Sequence, residues 1–353
     1  MNSAKRLESR LKGMVAARGG MFVPPELTEQ LIQGTKKKNN VGVMFSFEML
    51  PTLHAKGFKD VTLIVQERPK KYIRNLCTKY GYEIKTFEEI EDMKFDTIIA
   101  NPPYQNGKNS NFYMEFIRLS KEVVKDDGDI IFVVPNRFCM NGSKLTNLLN
   151  EFQLKHVTWD ASAHFPNVGT FIGAYVATNK ANPDNTKVPV DFGSFTRDIN
   201  FETETLPPKP INNELKISII EKYFNHPTKC DIVKKDDDGA FFICRQWKSY
   251  VPEDKSRSGV VFNTVDQDKD DGRFYRVIGD TDNFISFVSR SKLMRFIAIN
   301  FASGMNVAPI IQRTIPDIGF QDAMTDQQIY DVFGLNEEEI SYIDRCLTKG
   351  SKE

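Results

Sequence analysis

The stretch that decides the fold is FDTIIANPPY, residues 95–104. Its first six residues, from Phe95 to Ala100, are apolar or β-prone except for one aspartate, which predicts a buried strand. Two prolines that fix φ and lack N–H donors follow, so the strand ends in a stiff, extended turn. Open α/β sheets bind ligands at the carboxyl ends of their parallel strands. We therefore expect the chemistry of this protein at Asn101, Pro102, Pro103 and Tyr104.

Short apolar runs alternate with helical stretches on both sides of this strand. Such βαβ units build a parallel sheet covered on both faces, so the sequence predicts an α/β fold. The other predicted strands are residues 41–45, 61–65, 82–87, 129–134, 157–159 and 173–178. The segment LPPKP at residues 206–210 is proline-stiffened, and we place a domain boundary there, between residues 1–205 and residues 206–353. We expect a smaller mixed α+β domain after the boundary.

The composition is that of a globular protein. The 353 residues are 40% hydrophobic and 27% charged, with 47 Lys and Arg against 47 Asp and Glu. Five scattered cysteines without a CxxC pair indicate free thiols, and the four histidines lack metal-ligand spacing, so we expect no disulfide framework and no metal site. No apolar run approaches the ~18 residues of a membrane helix and no signal peptide is visible. We therefore expect a cytoplasmic protein with no membrane partner.

The zero net charge argues at first against a nucleic-acid partner, but the charges are segregated along the chain. Residues 1–38 carry +5 (8 minus 3), residues 283–316 carry +4 with no acidic residue, and residues 317–353 carry −6 (3 minus 9). A neutral protein can therefore present a local cationic surface. Phenylalanines are interleaved with the cations of residues 283–316, so the best candidates for DNA contact are Arg290, Lys292, Arg295 and Arg313. A second, weaker cluster contains Arg245 and Lys248.

The tetrapeptide suits the activation of an aromatic amine. Such an amine is a poor nucleophile because its lone pair is delocalised into the ring. The side-chain oxygen of Asn101 and the backbone oxygen of Pro102 can accept both of its hydrogens, which favours a pyramidal nitrogen whose lone pair points outward. Tyr104 can stack on the flat face of the base. No strong base is required, because the product loses its proton after the attack.

In this setting the tetrapeptide resembles the Asn-Pro-Pro-Tyr motif of gamma-type, adenine-specific DNA amino-methyltransferases from restriction–modification systems and phages. The resemblance covers roughly residues 20–185. It implies a Rossmann-like methyltransferase sheet, S-adenosylmethionine as cofactor, and methyl transfer to the 6-amino group of a flipped-out adenine. It also implies a catalytic domain over residues 1–205 and a DNA-recognition domain over residues 206–353. The implied partner is double-stranded DNA in a bacterial or phage-infected cell, with or without a cognate restriction nuclease.

The same resemblance assigns the cofactor contacts. Phe22 and Pro24 lie in FVPPEL, residues 22–27, which is similar to the family's leading cofactor motif. Glu67, at the tip of the second strand, matches the acid that binds the ribose hydroxyls, and a carboxylate can accept two such hydrogen bonds. Glu88, after the third strand, matches the acid near the adenine. The loop after the first strand departs from the family because it lacks the usual glycines; its equivalent contacts are Phe45, Ser46 and Glu48.

The segment from His164 to Val168 resembles the family's Phe-Pro element, which assigns Phe165, together with Tyr104, to the flipped base. Two other functions fit the same residues. RNA guanine-amino and protein glutamine-amide methyltransferases also use Asn-Pro-Pro-Tyr, although usually without a C-terminal domain of this size. A non-catalytic DNA-binding relative with a weakened cofactor site would also explain the loop that lacks glycines.

Overall fold

The structure, a computed structural model, divides the chain into two compact units, Met1–Glu204 and Thr205–Glu353. It describes residues 22–67, 69–104, 111–136, 144–166, 168, 171–230, 232–233, 241–244, 248–249, 260–261, 264–265, 274–277, 287, 291–303, 306–307, 315–319 and 324–348. Within these residues, no helix combines the length and the apolar character that crossing a membrane requires.

Nine strands form a single sheet in the N-terminal unit. They are β1 (Val41–Met44), β2 (Val61–Val65), β3 (Glu83–Thr86), β4 (Phe95–Ala100), β5 (Val124–Pro135), β6 (Gln153–Thr158), β7 (Ile172–Thr178), β8 (Val188–Asp191) and β9 (Thr196–Ile199). The order across the sheet is β3-β2-β1-β4-β5-β7-β6-β8-β9. The first five strands pair in parallel, whereas β7 is antiparallel to both β5 and β6. This arrangement confirms the predicted Rossmann-like methyltransferase sheet.

The described helices of this unit are α1 (Pro25–Ile32), α2 (Leu50–Ala55), α3 (Lys71–Tyr80), α4 (Tyr113–Val123) and α5 (Lys144–Leu149). Three of them, α2, α3 and α4, follow β1, β2 and β4 and connect successive parallel strands, as βαβ units require. α1 begins with a proline, which suits the first turn of a helix because its missing N–H would have no partner there. α3 ends at Gly81, whose φ of 71° is left-handed.

Apolar residues of the central strands form the core of this unit. Phe95, Ile98 and Ile99 of β4 are at most 1% exposed. A Cβ added at Gly42 in β1 would lie 2.6 Å from Ile98 Cδ1 and 3.2 Å from Phe95 Cγ, so a larger residue here would force these core side chains to shift. The one glycine of this segment therefore serves the packing of the sheet.

The predicted boundaries differ from the structure at the carboxyl edge of the sheet. The first strand stops at Met44, because Phe45 adopts a left-handed backbone with a φ of 60°. A 3-10 turn over Phe47–Met49 follows, and the α-helix starts at Leu50. The third strand ends at Thr86, because a turn begins at the next residue.

The C-terminal unit combines helices with short strands, which confirms its predicted α+β character. Its described helices are α6 (Glu214–Phe224), α7 (Lys292–Phe301), α8 (Asp326–Val332) and α9 (Glu337–Thr348). An antiparallel sheet has the order β10 (Ile232–Val233), β15 (Phe274–Val277), β11 (Phe241–Cys244) and β14 (Thr264–Val265). Two further pairs join β12 (Lys248–Ser249) to β13 (Val260–Val261) and β16 (Ala302–Ser303) to β17 (Asn306–Val307).

Two polar arrangements fix the last helices of this unit. Thr325 and Gln328 form a capping box at the start of α8, which pairs two backbone N–H groups of the first turn. Glu339 of α9 is 1% exposed and accepts hydrogen bonds from Ser218 and Lys222 of α6, both at 2.6 Å. A buried carboxylate is tolerated only with such donors, so this contact joins α9 to α6.

Candidate functional site

Three strand ends meet at one edge of the sheet. β1 lies between β2 and β4, and Met44 is opposite both Ile64 and Ala100. The residues that follow these strands therefore emerge side by side, at the edge where α/β sheets bind ligands. We call this group the strand-end site; its members are Phe45, Ser46, Gln66 and residues 101–104.

A buried hydroxyl connects two of the strand ends. The backbone N–H of Asn101 donates to Ser46 Oγ at 2.9 Å, and that hydroxyl donates to the Met44 oxygen at 3.0 Å. Ser46 is fully buried and Asn101 is 4% exposed. The turn after β1 therefore fixes the backbone position from which the Asn101 side chain extends. Ser46 lies at the site as expected, and in this structure its hydroxyl positions Asn101.

Tyr104 is held against Asn101 by its own hydroxyl. Tyr104 OH donates to Asn101 Oδ1 at 3.2 Å, and the ring packs edge to face with Tyr113 at a centroid distance of 6.3 Å. The backbone oxygen of Tyr104 accepts the Phe112 N–H at 3.1 Å. Because a carbonyl oxygen has two lone pairs, Asn101 Oδ1 can accept a second donor while Tyr104 orients the amide.

Phe45 takes the position where a glycine was expected after β1. Its N–H donates to the Ile64 oxygen at 3.2 Å, which ties the turn to β2. Its ring packs against Phe87 at 5.2 Å and against Phe116 at 5.1 Å between centroids. The side chain of this predicted cofactor contact therefore belongs to an aromatic cluster beneath the turn.

The leading segment is fixed to the turn after β1. The N–H of Val23 donates to Glu48 Oε1 at 3.3 Å, and Phe22 packs edge to face on Phe47 at 5.7 Å. Phe22 remains 52% exposed, whereas Pro24 continues into α1 as its N-terminal flank. The structure thus brings three predicted cofactor residues, Phe22, Pro24 and Glu48, to the same edge as Ser46.

The two acids that the resemblance assigns to the cofactor, Glu67 and Glu88, are both exposed. The neighbouring Glu89 accepts the Thr86 N–H at 2.6 Å, and hydrogen bonds from the backbone and side chain of Thr86 lower the pKa of Glu89. In the part of the chain that the structure describes, no three His, Cys, Asp or Glu side chains cluster as a metal site would require.

Gln66 is a site residue that the sequence reasoning missed. It follows β2 directly, and its Nε2 is buried without a hydrogen-bond partner among the residues that the structure describes. Buried donors in proteins are nearly always paired, so this atom marks a position where a ligand oxygen would fit. The sequence favours the adjacent carboxylate, Glu67, because it gives no sign that Gln66 is half-buried and Glu67 exposed.

Phe165 is a core residue in this structure. It is 1% exposed and follows a 3-10 turn over Ser162–His164, where its N–H donates to the Ser162 oxygen at 2.8 Å. That turn is joined to the start of β7, because the Ala161 N–H donates to the Ile172 oxygen at 2.7 Å. The resemblance implies that this ring stacks on a base, but in the structure the ring is not exposed for stacking.

The side chains predicted to contact DNA differ in their structural settings. Lys292 forms an ion pair with Asp344 at 2.8 Å, so its charge is already balanced. Arg295 is half-buried within α7. Lys248 is described only as part of β12, and three residues lie outside the described part of the chain: Arg245, Arg290 and Arg313.

Residues 52–165 match the family model described as Eco57I restriction-modification methylase. The match covers 114 of the 353 residues, counted from 52 to 165, which is about a third of the chain. It includes Gln66, Asn101 and Phe165. The match supports a restriction–modification methylase segment in the half of the sheet that carries the strand-end site.

Other relatives match parts of the chain. Type II methyltransferase M.BsuBI of Bacillus subtilis is 29% identical over 86 residues, an alignment that covers 19% of this chain and 17% of that protein. The structure of the EcoKI M protein, from a type I restriction enzyme, is similar at 17% identity and a TM-score of 0.36, covering 51% of this chain and 50% of that chain. A methyltransferase from Pyrococcus furiosus is similar at 15% identity and a TM-score of 0.34, covering 50% of this chain and 96% of that chain.

Proposed function

We propose that this protein is a DNA methyltransferase of the restriction–modification type that transfers a methyl group from S-adenosylmethionine to the 6-amino group of adenine. The observation that carries the proposal is the buried Asn101 amide, oriented by Tyr104 and fixed through Ser46 at the carboxyl end of β4. The family match over residues 52–165 supports methylase chemistry in this segment.

Asn101 has the first role in the proposed mechanism. Its Oδ1 accepts one hydrogen of the target amine, and the backbone oxygen of Pro102 accepts the other. With both hydrogens bound, the nitrogen becomes pyramidal and its lone pair points away from the two acceptors. The lone pair would then point at the methyl group that the cofactor supplies, and the methylated amine would release its extra proton to solvent. The Tyr104 hydroxyl keeps the Asn101 oxygen in place, because it prevents rotation of the amide.

One observed feature of the strand-end site fits the proposed cofactor. S-adenosylmethionine, when bound, supplies a methyl group on a positively charged sulfur. Gln66 Nε2 is a buried donor without a partner in the described structure, at the end of β2 beside the turn that contains Phe45 and Ser46. The residues that would hold the cofactor are Gln66 and Phe22. Ser46 would support them by fixing the turn after β1, and Glu48 by fixing the leading segment.

The target is proposed to be a base flipped out of duplex DNA, because an amine inside the stack cannot reach Asn101. Unstacking costs a few kcal/mol, which contacts from the protein must offset. Tyr104 is the proposed stacking partner. Tyr104 is 9% exposed and would need only a small opening, whereas Phe165 is 1% exposed and can take part only if its turn moves. We assign DNA recognition to the C-terminal unit, without assigning individual cations.

Asn101→Ala tests the proposal. The purified protein is mixed with cofactor labelled in the methyl group and with DNA, RNA and protein acceptors. The wild type should place label in acid-stable methyladenine of DNA, and Asn101→Ala should lose at least about 10²-fold in turnover with DNA binding nearly intact. Asn179→Ala is the matched control, since Asn179 lies beyond the opposite end of the sheet, after β7, and should leave turnover within twofold.

Each other outcome contradicts a different part of the proposal. Label found only in RNA or only in protein would mean the same chemistry on another planar amine or amide. DNA retention without any label would identify a non-catalytic relative. Activity of Asn101→Ala within tenfold of the wild type would show that Asn101 is not the amine acceptor.

A further inference from the structure

Lysines precede three neighbouring strands at the amino edge of the sheet, opposite the strand-end site. The loops that contain them are residues 36–40 before β1, residues 57–60 before β2 and residues 79–82 before β3. These strands are neighbours in the order β3-β2-β1 and pair in parallel, so the three loops lie side by side, about 5 Å apart. One lysine from each loop forms a set that we call the lysine row: Lys38, Lys59 and Lys79.

Contacts between the three loops join them into one surface. The N–H of Lys59 donates to the backbone oxygen of Lys38 at 2.7 Å, and Lys38 Nζ lies 5.7 Å from the centre of the Phe58 ring. Tyr82, which shares a loop with Lys79, donates from its hydroxyl to the Phe58 oxygen at 3.3 Å. The loops before β1 and β3 are therefore both fixed to the loop before β2, between them.

Carboxylates do not balance the charges of the lysine row. Lys38 Nζ donates to a backbone oxygen at 3.0 Å, and Lys79 Nζ lies over the Tyr80 ring at 5.4 Å. Among the described residues, none forms an ion pair with a member of the row. The three loops contain five lysines and one acid, Asp60. All three lysines of the row are exposed, so their positive charges face solvent.

The surroundings of the row favour a nucleic-acid backbone as its partner. In the described part of the chain, large hydrophobic side chains are exposed at four positions, none of them in these loops: Phe22, Tyr72, Phe171 and Val332. Stable membrane binding inserts apolar groups, and protein interfaces have an apolar centre. Duplex DNA needs neither, because lysines bind its phosphates directly. Each DNA strand carries one charge per about 3.4 Å, so a row about 10 Å long can meet several phosphates.

We propose that the lysine row is a second DNA-binding surface, which holds the phosphate backbone of duplex DNA at the amino edge of the sheet. The inference rests on the proposed function, because DNA is the proposed substrate, but it assigns a contact that methyl transfer does not use. Asn101 follows β4 at the carboxyl edge, so the DNA held by the row is a segment other than the one that carries the target base. Such a surface keeps the protein on DNA between target sites.

The salt dependence of DNA binding by the full-length protein tests the inference. Fluorescence anisotropy with long, mixed-sequence duplex DNA gives the slope of log affinity against log salt concentration. The double variant Lys59→Gln/Lys79→Gln removes two exposed charges, so the slope should fall by about two and the affinity at low salt by roughly tenfold. The matched control is Lys180→Gln/Lys187→Gln, which removes the same charge from exposed lysines near Asp184, on the β7–β8 side of the sheet.

The control should keep both the slope and the affinity close to those of the wild type, with the affinity within twofold. Methyl transfer at saturating DNA should also stay within twofold in both double variants, because neither changes the strand-end site. Anionic phosphatidylserine vesicles at the same salt concentration serve as the alternative polyanion, and the wild type should bind them more weakly than DNA.

The arms of this experiment separate the inference from the proposed function. Unchanged DNA binding by Lys59→Gln/Lys79→Gln, in a wild type that methylates DNA, refutes the inference alone. An equal loss in Lys180→Gln/Lys187→Gln would show an effect of total charge, which also overturns it. Tighter binding of the wild type to vesicles than to DNA would assign the row to a membrane surface instead. A wild type that binds DNA through the row but transfers no methyl group supports the inference and refutes the proposed function, whereas a wild type that retains no DNA at low salt overturns both.

Discussion

Replacing Ser46 by alanine tests whether one buried hydroxyl holds the reactive amide in place. Ser46 is fully buried, accepts the Asn101 N–H at 2.9 Å and donates to the Met44 oxygen at 3.0 Å. Ser46→Ala removes both hydrogen bonds and leaves the volume of the site almost unchanged. The substitution therefore isolates the contribution of the hydroxyl.

The expected magnitude follows from the burial of these partners. Removing the acceptor of a buried N–H costs about 1–3 kcal/mol in free energy of unfolding. For a domain of this size each kcal/mol lowers the unfolding temperature by about 2–4 °C, so the shift should be roughly 2–12 °C. Turnover should fall about tenfold or more, because Asn101 no longer extends from a fixed backbone position. DNA affinity should stay within about twofold, since no contact with phosphate is removed.

Ser120→Ala is the matched control for this measurement. Ser120 is also fully buried, and its hydroxyl donates to the Phe116 oxygen at 2.8 Å within α4, with a weak contact to Met44 Sδ at 3.8 Å. Among the described residues, no buried N–H depends on this hydroxyl. Its truncation should cost less than about 1 kcal/mol, because a serine bonded to its own helix stabilises that helix little. Urea denaturation gives the stabilities, and single-turnover methylation gives the rate. The reasoning is refuted if Ser46→Ala is no less stable than Ser120→Ala, or if it loses stability while its rate stays within twofold of the wild type.

Two further predictions concern the packing of each unit. Gly42→Ala should lower the free energy of unfolding by about 1–3 kcal/mol in urea denaturation, because the new Cβ would lie 2.6 Å from Ile98 Cδ1; an unchanged midpoint would contradict the packing argument. Burial raises the pKa of Glu339, but hydrogen bonds from three donors outweigh it and lower that pKa overall; the donors are Lys222, Ser218 and the Asn336 backbone. The stabilisation is therefore fully present above the unfolded pKa of about 4.3 and is lost as the pH falls through the lower folded pKa. The difference in free energy of unfolding between the wild type and Glu339→Gln should accordingly shrink from pH 7 to pH 3, and a constant difference would show that the carboxylate charge is not stabilising.

The sequence predicted the central strands because their pattern is local. Residues 95–104 contain both an apolar run and the prolines that end it, so the strand and its exit at Asn101 follow from the order of residues alone. The α/β class follows in the same way from the alternation of short runs and helices. The contact between Ser46 and Asn101 could not be predicted, because it joins residues 55 positions apart through the register of two strands.

The partners of the surface charges, unlike the strands, could not be predicted from the sequence. Lys292 lies in a stretch without acidic residues, and its position in the sequence indicates a free cation available for phosphate. In the fold it pairs with Asp344, which is more than fifty residues away in the acidic tail. A local count of charges cannot reveal such a partner, because tertiary packing of α7 and α9 brings the two side chains together. The same limit explains why the sequence could not decide between Gln66 and Glu67.

The turn after β1 shows how a tight turn can form without glycine. Phe45 has a φ of 60°, and a left-handed backbone costs a residue with a side chain about 1–2 kcal/mol. Its ring meets two fully buried rings, Phe87 and Phe116, at 5.2 and 5.1 Å, and aromatic pairs of this kind contribute about 0.5–1.5 kcal/mol each. The two contacts are therefore large enough to offset the cost of the backbone. A phenyl ring packed beneath the turn can thus hold a conformation that glycine would adopt freely, and the lack of glycines in residues 43–48 does not by itself indicate a lost ligand site.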